Sequence, residues 1–374
     1  MSYEHFELPD YPCKRDLWDD LKEEKRPIVV YGMGNGADKL IRRLEAMGGR
    51  IADFFASDGF VRGHSFHGKR VKSFSEIREE YDEFVILLSF ATGRDEVLFL
   101  LREMDMRYDL LIPDMPVAGE DEYFDKDFYN SNYESIVKAY ESLCDEKSKN
   151  CFAAVVNYKL YGRMKYLTEA FSEKEDIYRV LPLEDIEVMI DAGAYNGDTA
   201  REAKKYFPNL KKVVAIEADK RNFKKLSKYS EAEADIKIES INAAVWSECG
   251  AGSFSSSGNR NSSVNSTSSF EHKEEETSLI SVDSLSEKPD YIKYDVEGAE
   301  YEALVGSLET IKSSRPCMLV SLYHRSRDIF ALVNLLSENL DCYNLYLRRL
   351  MCVPAWDLDL LAVPREKEKF GVKE

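Results

Sequence analysis

The stretch Val188-Met189-Ile190-Asp191-Ala192-Gly193-Ala194-Tyr195-Asn196-Gly197-Asp198-Thr199 decides the reading of this chain. An apolar run ends in an acid, passes through a turn with two glycines and reaches residues suited to cap a helix, Asp198 or Thr199. Ala200, Ala203 and Phe207 then fall on one helical face. Glycine lets the backbone approach a ligand with no Cβ in the way. The pattern is a strand–turn–helix cradle, without the GxGxxG spacing that holds a pyrophosphate. The next apolar run, Val213-Val214-Ala215-Ile216, ends in Glu217, 26 residues after Asp191. An acid there is placed to hold both hydroxyls of a ribose. Together these elements favour an adenosine-containing cofactor that lacks a pyrophosphate.

Further along, a third strand over 236–241 leads into Asn242-Ala243-Ala244-Val245-Trp246, whose small residues leave room for a flat base. A fourth run, Tyr291-Ile292-Lys293-Tyr294-Asp295, is followed by Val296-Glu297-Gly298-Ala299-Glu300. Strand alternation puts Tyr291, Lys293 and Asp295 on one face, with Asp295 at the carboxyl end where open α/β sheets bind ligands. Asp295 is also placed to cap the next helix, but its clustering with Glu297 favours a catalytic role. A fifth run ends in Tyr323-His324-Arg325. His324, beside the strand that carries Asp295, is the leading candidate for a base near neutral pH, with Asp295 the alternative. A divalent metal on Asp295, Glu297 and His324 ranks below a metal-free site, because no dense acid cluster is apparent; no metal is expected. The closing segments 343–348 and 356–363 read as an antiparallel edge.

Upstream, residues 1–117 hold another alternating pattern: strands at 27–31, 51–56, 84–89 and 110–112, with helices ending near Met47 and over 95–104. Gly32, Gly34 and Ala37 fit a nucleotide turn, and Asp58 lies near the end of the second strand. A nucleotide or nucleotide sugar on this turn and an empty turn are equally consistent with the residues. The segment 63–68 holds His64 and His67 and reads as a loop, not a metal site. Residues 118–186 are helical and rich in tyrosine (123, 129, 133, 140, 158, 161, 166, 178), suited to pack helices together or to line a carbohydrate face. Residues 187–374 form the main unit, in which the serine-rich segment 252–269 reads as a loop or lid.

Composition narrows the partners. With 374 residues, 44% hydrophobic and 32% charged, the chain is an ordinary globular protein with length for about two domains. A net charge of −18 disfavours nucleic acid and anionic membranes. The longest apolar run, Phe84 to Ala91, is too short to span a bilayer, and the first residues carry no signal-peptide pattern. Seven cysteines without a CxxC pair read as reduced thiols of a cytoplasmic protein.

The segments MIDAGAYNGDT, VVAIEADKRNFKKL, INAAVW, SVDSL, DYIKYDVEGAEYEAL, SLYHR and LYLRRL…WDLDLLAVP resemble the FkbM family of S-adenosylmethionine-dependent methyltransferases, from about residue 130 to 364. The resemblance implies a class I methyltransferase fold: a mostly parallel seven-stranded sheet ending in an antiparallel hairpin, here preceded by a smaller Rossmann-like α/β domain and a helical linker. It implies that Asp191, Gly193, Gly197 and Asp198, with Ala194, Asn196 and Thr199 of the same turn, border the methionine and ribose parts of the cofactor. Glu217 would take the ribose hydroxyls, Asn242 or Ala243 would border adenine, and Asp295 would face the sulfonium or substrate. The expected activity is methylation of a hydroxyl on a small-molecule or glycan-related acceptor. The rival readings are an NAD-dependent sugar oxidoreductase or epimerase working on the N-terminal turn, and a non-catalytic cofactor-binding scaffold.

Overall fold

The computed structural model describes residues 4–57, 59, 61, 63–119, 122–255, 263–264 and 274–368. Asp58 and most of the serine-rich segment 252–269 lie outside the described residues. The apolar runs become two sheets. In the first, β1 (Ile28–Tyr31), β2 (Ile51–Ala56), β3 (Lys72–Ser73), β4 (Val85–Leu88) and β5 (Asp109–Leu111) lie in the order β3-β2-β1-β4-β5, all parallel. Every residue of β1 and β4 is buried, as a parallel sheet covered on both faces requires. Helices Asn35–Ala46 and Asp95–Asp105 make crossovers. The expected loop at 63–68 is instead part of a small hairpin, Ser65–Phe66 with Lys69–Arg70. His67 sits at its turn, with Nε2 2.7 Å from Asp38.

The second sheet contains β6 (Val188–Ala192), β7 (Lys212–Ile216), β8 (Lys237–Ile241), β9 (Tyr291–Tyr294), β10 (Cys317–Ser321), β11 (Tyr343–Arg349) and β12 (Leu358–Pro364). Their order is β8-β7-β6-β9-β10-β12-β11. All pairs are parallel except those of β12, which runs against β10 and β11. This is the class I methyltransferase fold. Its strand order reverses between β6 and β9, and a crevice opens there beyond the carboxyl ends of the strands. Between β8 and β9 the chain makes a small sheet that includes Ala244–Val245 and Glu274–Ile280.

The helical middle region joins the two sheets. In helix Glu146–Tyr161 every residue from Cys151 to Leu160 is buried. One continuous core takes in Val29 and Phe55 of the first sheet, Phe152 and Tyr158 of this helix, and Val320 and Leu360 of the second sheet. Most of the tyrosines serve that packing: Tyr129 and Tyr158 are fully buried, and Tyr129 donates to the carbonyl of Pro9 at 2.7 Å. Lys159 reaches Asp114 at 2.6 Å, a buried ion pair tying the helix to the exit of β5.

Two consecutive arginines at the end of β11 complete the joint. Arg348 pairs with Asp145 at 2.6 Å. Arg349 is fully buried without an ion-pair partner among the described residues; it donates to the carbonyls of Leu167, Leu350 (3.1 Å) and Cys352 (3.0 Å). Replacing Arg349 by Ala leaves those carbonyls without a donor, at about 1–3 kcal/mol for each buried group left unsatisfied. Urea denaturation of the Arg349→Ala chain is expected to show a loss of ~3 kcal/mol or more, with Arg349→Lys recovering part of it.

Candidate active site

A cavity of about 710 Å³ opens at the carboxyl edge of the second sheet, lined by the turns after β6, β7 and β8 and the ends of β9, β10 and β12. The turn after β6 is shaped by close approach. Gly193 has φ +90°, and a Cβ on it would lie 1.9 Å from the carbonyl oxygen of Asp295, so only glycine lets the ends of β6 and β9 meet. Tyr195 holds φ +46° without being glycine, and its N–H donates to Glu217 Oε2 at 2.8 Å. Gly197, not Asp198 or Thr199, occupies the N-cap of helix Asp198–Tyr206, and no side chain caps it. A side chain at Gly197 would strike the ring of Tyr229.

Of the expected cofactor residues, Gly193, Asp198, Thr199, Glu217 and Ala243 line the cavity. Asp191, Ala194, Asn196, Gly197 and Asn242 do not. Asp191 is fully buried behind the wall with both carboxyl oxygens unpartnered, and that burial pushes its pKa up to about 7. Ala194 is buried in the core, and Asn196 accepts from Arg201 at 3.0 Å. Asn242 donates to the carbonyls of Glu217 (2.8 Å) and Ala218 (3.2 Å), so its amide fixes the loop after β7. Glu217 Oε1 accepts the N–H of Asp219 at 2.8 Å, and burial raises the acid to about 7. Each carboxylate oxygen keeps a free lone pair.

The other wall carries linked charges. Lys293 donates to Asp295 Oδ2 at 3.0 Å and to the Thr199 hydroxyl at 3.2 Å. The Tyr323 hydroxyl donates to Asp295 Oδ1 at 3.2 Å. Burial works against the charge of Asp295, but Lys293 and His324 outweigh it and hold the acid at about 2. Glu297 sits at φ +56°, a strained backbone for a non-glycine residue. Burial raises its acid to about 8.

The surroundings of His324 bear on the role expected of it. Its ring is buried, with Nδ1 2.8 Å from Glu300 Oε1 and Nε2 3.5 Å from Glu297 and 3.6 Å from Asp295. Burial opposes a charge on the ring, but Glu300, Glu297 and Asp295 together raise its pKa to about 10. A ring held protonated by these acids has no lone pair to take a proton, which weighs against a role as base. Asp295, Glu300 and His324 offer ligand atoms within 4.8 Å of one another. Glu300 Oε1 accepts the N–H of Val296 at 2.8 Å, while Glu300 Oε2 and His324 Nδ1 are buried without a hydrogen-bond partner among the described residues.

Several lining residues escaped the sequence reading. Asp359 on β12 is one; burial lifts its acid to about 8. An acid inside the apolar run Leu358-Asp359-Leu360-Leu361-Ala362-Val363 was its available signal. Ala91, Thr92 and Gly93 are others, contributed by the loop after β4. Thr92 and Val353 exchange backbone hydrogen bonds at 2.7 and 2.9 Å, which seats this loop beside the segment between β11 and β12. Of the eight middle-region tyrosines only Tyr178 lines this cavity. In the glycine turn of the first sheet, side chains at Gly32 and Gly36 would strike Phe90 and Ser89, while a side chain at Gly34 would meet nothing within 4 Å.

Residues 191–342 match the family model of the methyltransferase FkbM domain. The match spans the second sheet from β6 to the helix before β11. Among solved structures, a methyltransferase FkbM from Methylobacillus flagellatus KT is 20% identical and aligns over 90% of each chain with a TM-score of 0.65, so the fold extends through both sheets. A precorrin-6y C5,15-methyltransferase from Geobacter metallireducens GS-15 is 14% identical over 52% of this chain and 91% of its own, with a TM-score of 0.33. Fibrillarin from Aeropyrum pernix, solved with natively bound S-adenosyl-L-methionine, is 15% identical over 49% of this chain and 69% of its own, with a TM-score of 0.32. No curated protein matches the chain in sequence.

The contact between Gly193 and Asp295 makes a sharp prediction. Gly193→Ala is expected to cost ~3 kcal/mol or more in urea denaturation, because backbone and not a movable side chain blocks the new methyl group. Gly250→Ala, whose Cβ meets nothing within 4 Å, is expected to stay within about 0.5 kcal/mol of the parent.

Proposed function

We propose that this chain transfers the methyl group of S-adenosylmethionine to a hydroxyl oxygen of a sugar or glycan-related acceptor. The observation that carries the reading is the single cavity that joins the Glu217–Ala243 edge to the Asp295 wall. The residues present fit the methyl donor. Glu217 offers two oxygens for a ribose diol, the small residues Ala218 and Ala243 border a slot for a flat base, and Gly193 leaves backbone accessible beside the β6 end. When bound, the donor supplies a methyl group on a positively charged sulfur. Two further observations bear on its setting. All seven cysteines are free, in keeping with a cytoplasmic location, and no helix among the described residues is long and apolar enough to cross a membrane.

The chain's own residues then supply alignment and a proton acceptor. The acceptor enters the half of the cavity bordered by Thr92, Trp356 and Asp359, and its hydroxyl faces Asp295. As the new C–O bond forms and the C–S bond breaks, the hydroxyl proton passes to the Asp295 carboxylate. An acid held at about 2 is a weak base toward a free alcohol. It is strong enough late in the reaction, when the oxygen is nearly a protonated ether. Lys293 and Tyr323 hold both carboxylate oxygens in place meanwhile.

Calorimetric titration is expected to show micromolar binding of S-adenosylmethionine and S-adenosylhomocysteine and no heat with NAD. Glu217→Gln is expected to weaken binding by about 10- to 100-fold, the worth of hydrogen bonds to a charged group. Affinity is expected to fall as pH drops through about 7, because Glu217 accepts both ribose hydroxyls only when ionised. Binding of NAD alone would overturn the reading. In a labelled-methyl assay against a panel of free sugars and glycosides, Asp295→Asn is expected to lower kcat by ~10²–10⁴ while the cofactor Kd moves only a few-fold. An unchanged kcat removes Asp295 as the proton acceptor.

A further inference from the structure

We infer that Glu300 is a positioning residue of this site: its carboxylate fixes the ring of His324 with Nδ1 turned inward and Nε2 turned toward Asp295 and Glu297. The inference rests on the proposal that Asp295 faces the reacting oxygen. Glu300 opens helix Glu300–Val305 and is 1% exposed. A carboxylate in the first turn of a helix ordinarily serves its own N-terminus. This one folds back instead. Oε1 accepts the N–H of Val296 at 2.8 Å, receives Gly298 at 3.4 Å, and lies 2.8 Å from His324 Nδ1. One oxygen thus anchors the loop that carries Glu297 and lies as the opposite charge against the ring, without completing a hydrogen bond to Nδ1.

The surroundings leave the ring little choice of pose. Tyr323 packs on it at 4.2 Å between centroids, and the His324 carbonyl accepts the N–H of Ala118 at 2.8 Å. The charged and titratable groups around it are Asp295 with its partner Lys293, then Glu297, Glu300, Tyr323, and Asp328 with Arg325. Asp328 already accepts the N–H of Arg325 at 2.9 Å, and the guanidinium of Arg325 donates to the carbonyl of Gly298 at 2.6 Å. Glu300 is therefore the carboxylate left to face Nδ1 directly. With the carboxylate 2.8 Å from Nδ1, Nε2 is left 3.5 Å from Glu297 and 3.6 Å from Asp295. His324 then acts as a fixed cation that keeps Asp295 ionised and oriented, and not as a base.

The test is a nitrogen NMR titration of the His324 ring in the full chain, assigned among the five histidines by loss of its signals in His324→Gln. In the parent, both ring nitrogens are expected to stay protonated from about pH 6 to about pH 9. Glu300→Gln keeps the shape and an oxygen for Val296 but removes the charge. It is expected to lower the ring's proton affinity about tenfold or more, one unit of midpoint. A purely structural Glu300 would lower the melting temperature and leave the ring's titration unmoved. A neutral ring in the parent near neutral pH, or the same midpoint in Glu300→Gln, overturns the inference. The parent titration decides the first point even if the variant folds poorly. The ring is read in the free chain, so failure to bind S-adenosylmethionine strikes the proposed function alone, and an unmoved titration strikes the role of Glu300 alone.

Discussion

Opposite charges are held out of bulk water where the two central parallel strands of the second sheet end, and the surrounding structure is arranged to keep them there. Lys293 and Asp295 lie two residues apart on one face, with the buried ring of His324 beside them. Removing one partner leaves the other without its opposite charge at the cavity wall. Each neighbour satisfies one of them. Thr199 and Asp295 receive the ammonium, Tyr323 donates to the carboxylate, and Glu300 faces the imidazole. The absence of a Cβ at Gly193 lets the ends of β6 and β9 meet closely enough to close the arrangement.

The first sheet bears on the same place. Its loops after β4 and β5 end against the second unit: Thr92 pairs with Val353, and Ala118 donates to the carbonyl of His324. The glycine turn of the first sheet packs at Gly32 and Gly36 against Phe90 and Ser89, whose successors Ala91, Thr92 and Gly93 continue into the large cavity. The carboxyl edges of the two sheets thus contribute to one chamber, and the buried arginines of β11 keep the helical joint between them rigid.

What could be read in the sequence follows from where the controlling interactions lie along the chain. Strands buried on both faces announce themselves as apolar runs, so β1, β6, β7 and β9 were legible within a residue or two at each end. The glycine-bearing turn and Glu217 were legible because cradle and acid are local patterns. The bonds of the Asn242 amide were not, since they reach carbonyls more than twenty residues earlier, a pairing that exists only once β7 and β8 lie side by side. The state of His324 was hidden for the same reason. Its neighbours Asp295, Glu297 and Glu300 lie 24 to 29 residues upstream, and only the pairing of β9 with β10 brings them to the ring.

Those neighbours bear on how the chemistry is driven. A histidine near its ordinary pKa takes a proton early and suits an alcohol that must be activated before attack. A low-pKa carboxylate, flanked by an ammonium, a phenol and an imidazolium, takes it late and suits a reaction in which the electrophile is already strongly activated. A sulfonium donor is such an electrophile, with a neutral sulfur as leaving group that needs no acid. In the proposed reaction the site would have little need of a strong base. It would need a carboxylate that stays ionised and stationary beside a passing positive charge, and Lys293 and His324 both lie beside Asp295. Such an arrangement trades basicity for orientation, consistent with a reaction limited by alignment and water exclusion more than by proton affinity.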